Sequence, residues 1–509
     1  MNGKREFGDY QTPLDFSEKV CLYLKNERNV NPSIVIEPTC GLGSFLKSSL
    51  MFDADEYYGI DINEEYCQYC RDNISDNRIN IINGNFFLTS LKSLSKSNLN
   101  TLVIGNPPWV TNSTLSVLKS NNVPEKANFK KLKGLDAMTG EGNFDICEYI
   151  ILRIVQEYRD TDTMIAMLCK TSVARNVFKE LKRTGTGFKC CDIVEFDAMR
   201  VFGINANACL LIIQLTEKYH SPDKCSVYSF DDTHKCISQF GYLNGKFYSD
   251  FTLVANDLDG ICCFEWRQGV KHDCSKVMEL VLRDNEFKNG KKEIVDIEAD
   301  FVFPLVKSSM FKNPIINSFE KYVIVTQKKI REDTDYIEKK APKTWNYLNE
   351  NAEYFTKRKS SIYKGAPPFS MFGVGDYSFA KYKVGVSGFY KQPLFCLLYS
   401  DDDNPVMIDD TSYFLPFDSY EKAYIAMLIL NSDKIQLFLK SVAFLDAKRP
   451  YTKKVLQRID FDKAKKSLSY SDFVKTESSL GLNSYINESM YNDFNKMLKK
   501  YNTEQLSLI

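Results

Sequence analysis

Residues 33–45, SIVIEPTCGLGSF, are the stretch that decides the fold of this chain. Residues 33–37 are a short apolar strand, and residues 43–50, GSFLKSSL, have a helical pattern. Between them, Gly41 and Gly43 allow a tight turn and let the backbone come close to a ligand. No Lys-Ser or Lys-Thr pair directly follows Gly43, so the loop lacks the pattern of a phosphate-binding loop.

The same alternation of strand and helix continues for about two hundred residues. Strands are predicted at 33–37, 56–60, 78–82, 101–105, 163–168 and 208–215, and helices at 43–50, 63–73 and 144–158. Buried strands that alternate with helices are typical of a doubly wound, mostly parallel sheet. We therefore predict an α/β fold for the first part of the chain.

The pattern changes after residue 216, where polar, irregular sequence is followed by short strands and aromatic-rich loops. The 509 residues are enough for two or three domains. We predict a first domain at 1–216, a linker at 217–250, a second, mixed α+β domain at 251–460 and a C-terminal packing segment at 461–509.

Composition limits the possible environments and partners. Lys and Arg together number 66, as do Asp and Glu, so a nucleic-acid partner would need a local basic patch. The 15 cysteines are scattered and the three histidines widely separated, so we predict neither a disulfide framework nor a metal site. The polar N-terminus lacks a signal peptide, and no apolar run reaches the roughly 18 residues of a membrane span. We expect a cytoplasmic protein.

Ligands of open α/β sheets bind outside the carboxyl ends of the strands, so the residues that follow each strand carry the information. Glu37 follows the first strand, where a carboxylate suits a cationic ligand such as a sulfonium amino acid. Asp61 follows the second and can accept hydrogen bonds from both hydroxyls of a ribose. Asn85 and Phe86 follow the third and can bond the edge of an adenine and stack on its ring.

Each of these residues has a plain structural alternative. Asp61 could cap a helix and Asn85 could stabilise a turn. Their occurrence at successive strand ends favours a nucleoside site over separate structural roles.

The fourth strand ends in the stretch TLVIGNPPWV, residues 101–110. Two prolines lack N–H groups and fix the backbone, which holds the preceding carbonyls outward. The Asn106 amide oxygen and the Pro107 carbonyl can then accept both hydrogens of an exocyclic amino group, which localises the nitrogen lone pair for attack. Trp109 offers a flat face for the ring, which must be flipped out of a duplex to reach the site. A turn with a surface tryptophan is the alternative.

These motifs resemble the gamma-class, TaqI-like adenine-N6 DNA methyltransferases, which use S-adenosylmethionine. In that family Asn-Pro-Pro-aromatic is the catalytic motif, which implies catalytic roles for Asn106, Pro107, Pro108 and Trp109. The sequence MRVFGINANACLLII resembles the motif whose aromatic residue stacks on the flipped base, which implies that Trp109 and Phe202 hold the target base. Core packing is the alternative for Phe202.

The resemblance also implies a cofactor site. EPTCGLGSF resembles the family's cofactor loop, and GDYQTP resembles a further cofactor motif that precedes it in the gamma-class order. Asn85 departs from the family, which usually has Asp there. The implied cofactor-binding residues are Thr12, Pro13, Glu37, Thr39, Cys40, Gly41, Gly43, Asp61, Ile62, Asn85, Phe86 and Asn106.

Residues 351–400 contain seven basic and two acidic residues, and residues 441–458 contain five basic and one acidic. Basic side chains in loops can contact phosphates, and interleaved aromatic residues can meet bases. A solvated charged face is the alternative. The predicted DNA-binding residues are Arg358, Lys359, Lys364, Lys381, Lys383, Lys448, Arg449 and Lys453.

The sequence therefore predicts a monomeric enzyme that methylates N6 of a flipped adenine in duplex DNA without a metal ion. It would act in a restriction–modification or similar defence or epigenetic system, with a separate endonuclease as a candidate partner. Cytosine-N4 is the nearest alternative target, and guanine-N2 in RNA and a protein glutamine are more distant ones. A non-catalytic specificity subunit is a third class.

Overall fold

The computed structural model describes residues 10–94, 100–110, 145–217, 221–254, 258–402 and 404–494. The chain divides into two compact units, Met1–Thr252 (unit 1) and Leu253–Ile509 (unit 2). None of the described helices is both long enough and apolar enough to cross a membrane.

Unit 1 consists of strands and helices that alternate along the chain. Its strands are β1 (Ile34–Glu37), β2 (Glu56–Asp61), β3 (Ile79–Asn83), β4 (Thr101–Gly105), β5 (Met164–Lys170), β6 (Phe188–Asp197), β7 (Asn207–Leu215), β8 (Lys224–Ser229), β9 (Ser238–Leu243) and β10 (Lys246–Tyr248). Its helices are α1 (Leu14–Asn26), α2 (Ser44–Ser49), α3 (Glu64–Asn73), α4 (Ile146–Glu157), α5 (Thr171–Thr184) and α6 (Ala198–Phe202).

The strands form one ten-stranded sheet in the order β10-β9-β8-β6-β7-β5-β4-β1-β2-β3. Strands β1 to β5 run parallel, and β7 is antiparallel to β5 and β6. Strand β1 lies between β2 and β4, so the chain order reverses there, which is where open α/β sheets bind ligands. The predicted mostly parallel α/β fold is confirmed.

Burial explains why the central strands read as apolar runs. All four residues of β1 and all five of β4 are buried, as expected for strands covered on both faces. Helix α3, which follows β2, has a polar cap: the Asn63 side chain accepts from the N–H of Glu65 at 2.9 Å.

The predicted linker at 217–250 is wrong, because residues Lys224–Tyr248 form β8, β9 and β10 of the sheet. Strand β8 pairs in parallel with β6, and β9 and β10 continue the sheet as a hairpin. In β8, Cys225 and Val227 are buried, whereas Lys224 is exposed and Ser226 and Tyr228 are partly exposed. A short strand that is polar on one face has the composition of a loop, so the sequence pattern concealed it.

Unit 2 contains two five-stranded sheets, ordered β11-β20-β17-β18-β15 and β13-β12-β16-β14-β19. Its strands are β11 (Arg267–Gln268), β12 (Glu279–Arg283), β13 (Glu286–Asn289), β14 (Val302–Val306), β15 (Ile315–Ile316), β16 (Lys321–Ile324), β17 (Tyr382–Ser387), β18 (Cys396–Leu398), β19 (Met407–Ile408) and β20 (Ser412–Phe417). Unit 2 is therefore mixed α+β, as predicted.

The helices of unit 2 are α7 (Ser275–Met278), α8 (Tyr336–Lys340), α9 (Pro342–Glu350), α10 (Ala352–Thr356), α11 (Tyr420–Asn431), α12 (Asp433–Val442), α13 (Lys453–Leu456), α14 (Phe461–Ser467) and α15 (Tyr470–Ser479). Helices α14 and α15, from the predicted packing segment, contact the buried helix α11. The Tyr424 hydroxyl on α11 lies 2.7 Å from Oε1 of Glu477 on α15. Residues 495–509 of that segment lie outside the described residues.

Lys383, on β17, is one of the predicted DNA contacts, and this prediction is wrong. Its side chain is buried at 1% exposure, and its Nζ donates to the Ala380 carbonyl at 2.6 Å. Residues 383–387 of β17 are all buried, and successive side chains of a strand point to opposite faces, so both faces are covered here. Residue counting in a basic stretch does not reveal this burial.

The burial of Lys383 leads us to expect that the stability of the chain depends on pH. Burial lowers the pKa of its ammonium group from 10.5 to about 7. Between these values the unfolded chain binds a proton at this residue that the folded chain lacks, so the contribution of Lys383 to the free energy of unfolding rises with pH by about 1.4 kcal/mol per unit. We expect Lys383→Met to remove this slope in urea unfolding at about pH 7.5, 8.5 and 9.5. Parallel pH curves for parent and variant would contradict the assignment.

Candidate active site

The glycine loop between β1 and α2 donates two backbone N–H groups to residues of β2. The Cys40 N–H donates to the Ile60 carbonyl at 2.8 Å, and the Gly41 N–H donates to Oδ2 of Asp61 at 2.8 Å. Gly41 and Gly43 have φ values of +50° and +75°, which favour glycine. A Cβ atom on Gly43 would lie 2.7 Å from Cδ1 of Ile74 and 2.9 Å from Sγ of Cys70, so these side chains would have to move to admit it.

Residues 10–13 line the same loop. The Leu42 N–H donates to Oε1 of Gln11 at 3.0 Å, and the Ser44 hydroxyl donates to the Thr12 carbonyl at 2.7 Å. The structure therefore brings Thr12 and Pro13 next to the loop, as the resemblance implied. Sequence reasoning missed Tyr10 and Gln11, although both lie inside the motif GDYQTP that signalled the site.

Glu37 lies at the end of β1 and is 3% exposed. Its Oε2 accepts from the N–H of Leu46 in α2 at 3.0 Å. Burial raises the pKa of this carboxyl group well above its usual range, more than the hydrogen bond from Leu46 lowers it. A cationic group beside Glu37 would favour the ionised form of its carboxyl group. Binding of a cationic ligand there is therefore linked to loss of the proton from Glu37.

Asp61 lies at the end of β2, and its side chain accepts hydrogen bonds from the glycine loop and from the turn that precedes α3. One carboxylate oxygen accepts from Gly41 and the other accepts from the Asn63 N–H at 2.8 Å. An ionised carboxylate has about four lone-pair sites, so each oxygen keeps capacity for a ligand hydroxyl. Ile62 beside it is 50% exposed and offers an apolar surface next to that carboxylate.

Asn85 and Phe86 follow β3 in a tight turn. Oδ1 of Asn85 accepts from the Phe87 N–H at 2.9 Å, which is the turn role that the sequence left open. The amide nitrogen is then the group of Asn85 that could meet an adenine edge. Phe86 is 5% exposed, and the Arg153 guanidinium lies 5.1 Å from its ring centre, so one face of Phe86 is already covered.

Residues 106–110, which we call the clamp segment, follow β4. Nδ2 of Asn106 donates to the Tyr10 carbonyl at 2.8 Å and to Oγ1 of Thr12 at 3.3 Å. A carbonyl can only accept, so this contact fixes the orientation of the amide. Oδ1 of Asn106 is buried and has no hydrogen-bond partner in the described part of the chain.

Trp109 and Phe202 meet beside Asn106. Their ring centres are 5.5 Å apart at 74°, and Tyr10 lies 6.2 Å from Trp109 and 6.3 Å from Phe202. A base held between two parallel rings needs about 7 Å between them, since each van der Waals contact takes about 3.5 Å. The two predicted stacking residues are therefore brought together, but edge to face, and a ring must turn to admit a base.

Two buried thiols support this edge of the sheet. Sγ of Cys67 lies 3.5 Å from the Asp61 carbonyl, and Sγ of Cys70 lies 3.4 Å from the Gly41 carbonyl. Within the described ranges, no group of three or more His, Cys, Asp or Glu side chains is arranged to hold a metal ion.

The predicted DNA-binding residues of unit 2 differ in accessibility. Lys359, Lys364, Lys381, Lys448 and Lys453 are exposed. Lys453 forms an ion pair with Glu265 at 3.1 Å. Arg449 is half-buried, with its guanidinium 5.1 Å from the centre of the Phe389 ring.

Arg358 has a structural role, unlike the exposed lysines around it. Its guanidinium lies 3.7 Å from the centre of the Tyr363 ring and donates to the Ser370 carbonyl at 2.6 Å. These contacts hold the loop at 359–370 against the unit, so the prediction of Arg358 as a DNA contact is not supported by its geometry.

Comparison with known proteins identifies the family to which the chain belongs. It is 38% identical over 471 residues to Type II methyltransferase M.NspV of Nostoc sp., a match that spans 90% of this chain and 97% of that protein. Type IIL restriction-modification enzyme MmeI, solved in complex with DNA, has a similar fold, with a TM-score of 0.52 and 13% identity over 96% of this chain and 77% of that one. No protein-family model matches the sequence. With a close relative along nine-tenths of its length, the chain belongs to the Type II methyltransferases, the S-adenosylmethionine-dependent DNA methyltransferases of restriction–modification systems.

Proposed function

We propose that this protein transfers a methyl group to the N6 amino group of an adenine flipped out of duplex DNA. The observation that carries the proposal is the buried, unpartnered Oδ1 of Asn106, whose amide is fixed by the Tyr10 carbonyl. A buried acceptor without a donor is unfavourable, and an amino group from the substrate would satisfy it.

The donor groups fit S-adenosylmethionine. Asp61 can accept from the ribose hydroxyls, and the exposed face of Ile62 can cover the adenine. Oγ1 of Thr39 is buried and has no hydrogen-bond partner in the described ranges, so it can bond the methionine part. S-adenosylmethionine supplies an electrophilic methyl group, and the residues that the resemblance implies, among them Cys40 and Gly43, would hold it.

The clamp segment then performs the chemistry by position and polarity. Oδ1 of Asn106 and the carbonyl of Pro107 accept the two amino hydrogens, which localises the lone pair on the nitrogen. Trp109 and Phe202 hold the ring so that the nitrogen faces the methyl carbon, and Pro108 limits movement of the backbone. No covalent intermediate with the protein is needed.

Adenine is favoured over cytosine by the resemblance of the motifs and by their order along the chain. The cofactor motif at 10–13 precedes the glycine loop at 41–43, which is the gamma-class order. Cytosine-N4 presents the same planar amino group and is the second candidate. The restriction–modification setting also suggests a separate endonuclease that cleaves unmethylated sites. We expect the methyltransferase itself to be a monomer.

Substitution of Phe202 distinguishes a role in base stacking from a role in core packing. Stacking on an aromatic ring contributes about 1–3 kcal/mol per base, so Phe202→Ala should lower kcat/KM by about 10- to 100-fold. Phe196 is a matched control, because it packs 6.0 Å from Phe202 and 4.8 Å from Phe16. If Phe202→Ala loses no more activity than Phe196→Ala in steady-state assays, Phe202 is a core residue.

Unit 2 would supply most of the DNA affinity. Each lost phosphate contact lowers the slope of log K against log salt concentration by about 1, so replacing both Lys359 and Lys364 by alanine should lower it by about 2. Lys383→Met, at a buried position, should leave the slope unchanged. Fluorescence anisotropy with labelled duplex at several salt concentrations measures both, and an unchanged slope in the double variant would remove these lysines from the interface.

Transfer of a labelled methyl group identifies the target. Purified protein is incubated with methyl-labelled cofactor and duplex DNA, and the DNA is digested to nucleosides. Label in N6-methyldeoxyadenosine supports the proposal, and label in N4-methyldeoxycytidine supports the second candidate. Label only in RNA or protein would refute both.

A further inference from the structure

An ion pair at the carboxyl edge of the sheet is not used in the reaction as described. Lys170, the last residue of β5, donates from Nζ to Oδ2 of Asp145 at 2.8 Å. The exposed fractions of the two side chains are 30% and 12%. Strand β5 runs parallel to β4 with Met167 opposite Gly105, so Lys170 lies at the same edge as Asn106.

Asp145 joins this edge to the clamp segment. Its Oδ1 accepts from the Cys147 N–H at 3.1 Å and caps α4. The N–H of Ile146, the first residue of α4, donates to the Val110 carbonyl at 2.9 Å. Val110 directly follows Trp109, so the first turn of α4 holds the end of the clamp segment.

The clamp segment is thus fixed at both ends. Asn106 is held by Tyr10 at the beginning, and Val110 is held by α4 at the end. The prolines between them restrict the backbone, so a shift of α4 would be transmitted to Trp109. Displacement of a reacting group by about 1 Å can cost about 100-fold in rate.

We propose that Asp145 and Lys170 are positioning residues for methyl transfer, which fix the clamp segment through the hydrogen bond from Ile146 to Val110. The proposal rests on the proposed function of Asn106 and Trp109. Neither residue of the pair is placed against the reacting atoms. Their effect passes through the first turn of α4.

Conservative variants separate the ion pair from the helix cap. Asp145→Asn keeps a good cap but loses the charge that faces Lys170. Lys170→Met removes the charge with little change in volume, and Lys170→Arg restores it. In each variant the site residues themselves are untouched.

Asp192→Asn is the matched control for loss of an ion pair. Asp192 is 12% exposed, like Asp145, and pairs with Arg28, whose side chain is 22% exposed. It lies in the middle of β6, five residues before the strand ends at Asp197. Its replacement should lower stability without moving the clamp segment.

Single-turnover methyl transfer tests the pair. Asp145→Asn and Lys170→Met should each lower the rate by about 10- to 100-fold, with cofactor Kd within about twofold of the parent. Lys170→Arg should recover most of the rate, Asp192→Asn should keep it, and the double variant should be no slower than the slower single variant. Rates within about twofold of Asp192→Asn, or effects that multiply in the double variant, would overturn the proposal.

Hydrogen exchange provides a readout that needs no substrate. Amide exchange in the peptide covering 101–110 should accelerate in Asp145→Asn and Lys170→Met but not in Asp192→Asn. Unchanged exchange there would overturn the positioning role. This measurement stays informative if the parent methylates no DNA, an outcome that would refute the proposed function alone.

Discussion

Asn106→Ala is expected to lower the rate of methyl transfer by at least about 100- to 1,000-fold. The variant removes the buried acceptor that we propose binds the target amino group, and loss of one such preorganised group costs about that much in other enzymes. Cofactor affinity should change by only a few-fold, because the glycine loop keeps its bonds to Asp61 and Gln11. Single-turnover transfer and calorimetric binding of the cofactor measure the two effects separately.

Asn106→Asp is the informative companion variant. It keeps an acceptor oxygen but places a second oxygen against the Tyr10 carbonyl, where Nδ2 now donates. It should therefore retain more transfer than Asn106→Ala, though less than the parent. Equal losses in both variants would show that the contact with Tyr10, and not the free Oδ1, accounts for the effect. Near-normal turnover of Asn106→Ala would contradict the catalytic assignment.

Asp61→Ala is expected to raise the Kd for S-adenosylmethionine by about 10- to 100-fold. Hydrogen bonds to a charged group contribute about 1.5–3 kcal/mol, and a factor of ten is about 1.4 kcal/mol. The variant also leaves the Gly41 N–H without its acceptor, so the loop would loosen. The turnover of whatever enzyme is loaded with cofactor should fall much less than the affinity.

Asn63→Ala is the control for Asp61. Asn63 caps α3 two residues away and accepts from the Glu65 N–H at 2.9 Å. Its loss should lower the free energy of unfolding by about 1 kcal/mol without a matching loss of cofactor affinity. Similar Kd values for Asp61→Ala and Asn63→Ala in isothermal titration would mean that Asp61 acts on the loop and not on the ribose.

Sequence predicted the central strands of the unit 1 sheet better than the strands at its edge. Strands buried on both faces, such as β1 and β4, are continuous apolar runs, so their carboxyl ends could be placed to within a residue. Strand β8 is polar on one face and was mistaken for a linker. The number of basic residues around Lys383 suggested DNA, but residues 383–387 of β17 are all buried, Lys383 among them.

Interactions between distant residues were beyond the sequence pattern. Nothing in the motif at 106–109 indicates that the Tyr10 carbonyl would fix the amide of Asn106, since 96 positions separate them. Burial likewise raises the pKa of Glu37 through atoms that no local window contains. The edge-to-face contact of Trp109 and Phe202 joins rings that are 93 positions apart in the sequence, so no local window contains both.

The most direct test of the central claim is methylation-aware sequencing of DNA from a host that expresses the parent chain or Asn106→Ala. The account predicts N6-methyladenine at one recurring sequence in the parent sample and its absence from the Asn106→Ala sample. Methylation at N4 of cytosine would move the target to the second candidate. The account would be contradicted by DNA that carries no new methylation, or by a variant that methylates like the parent.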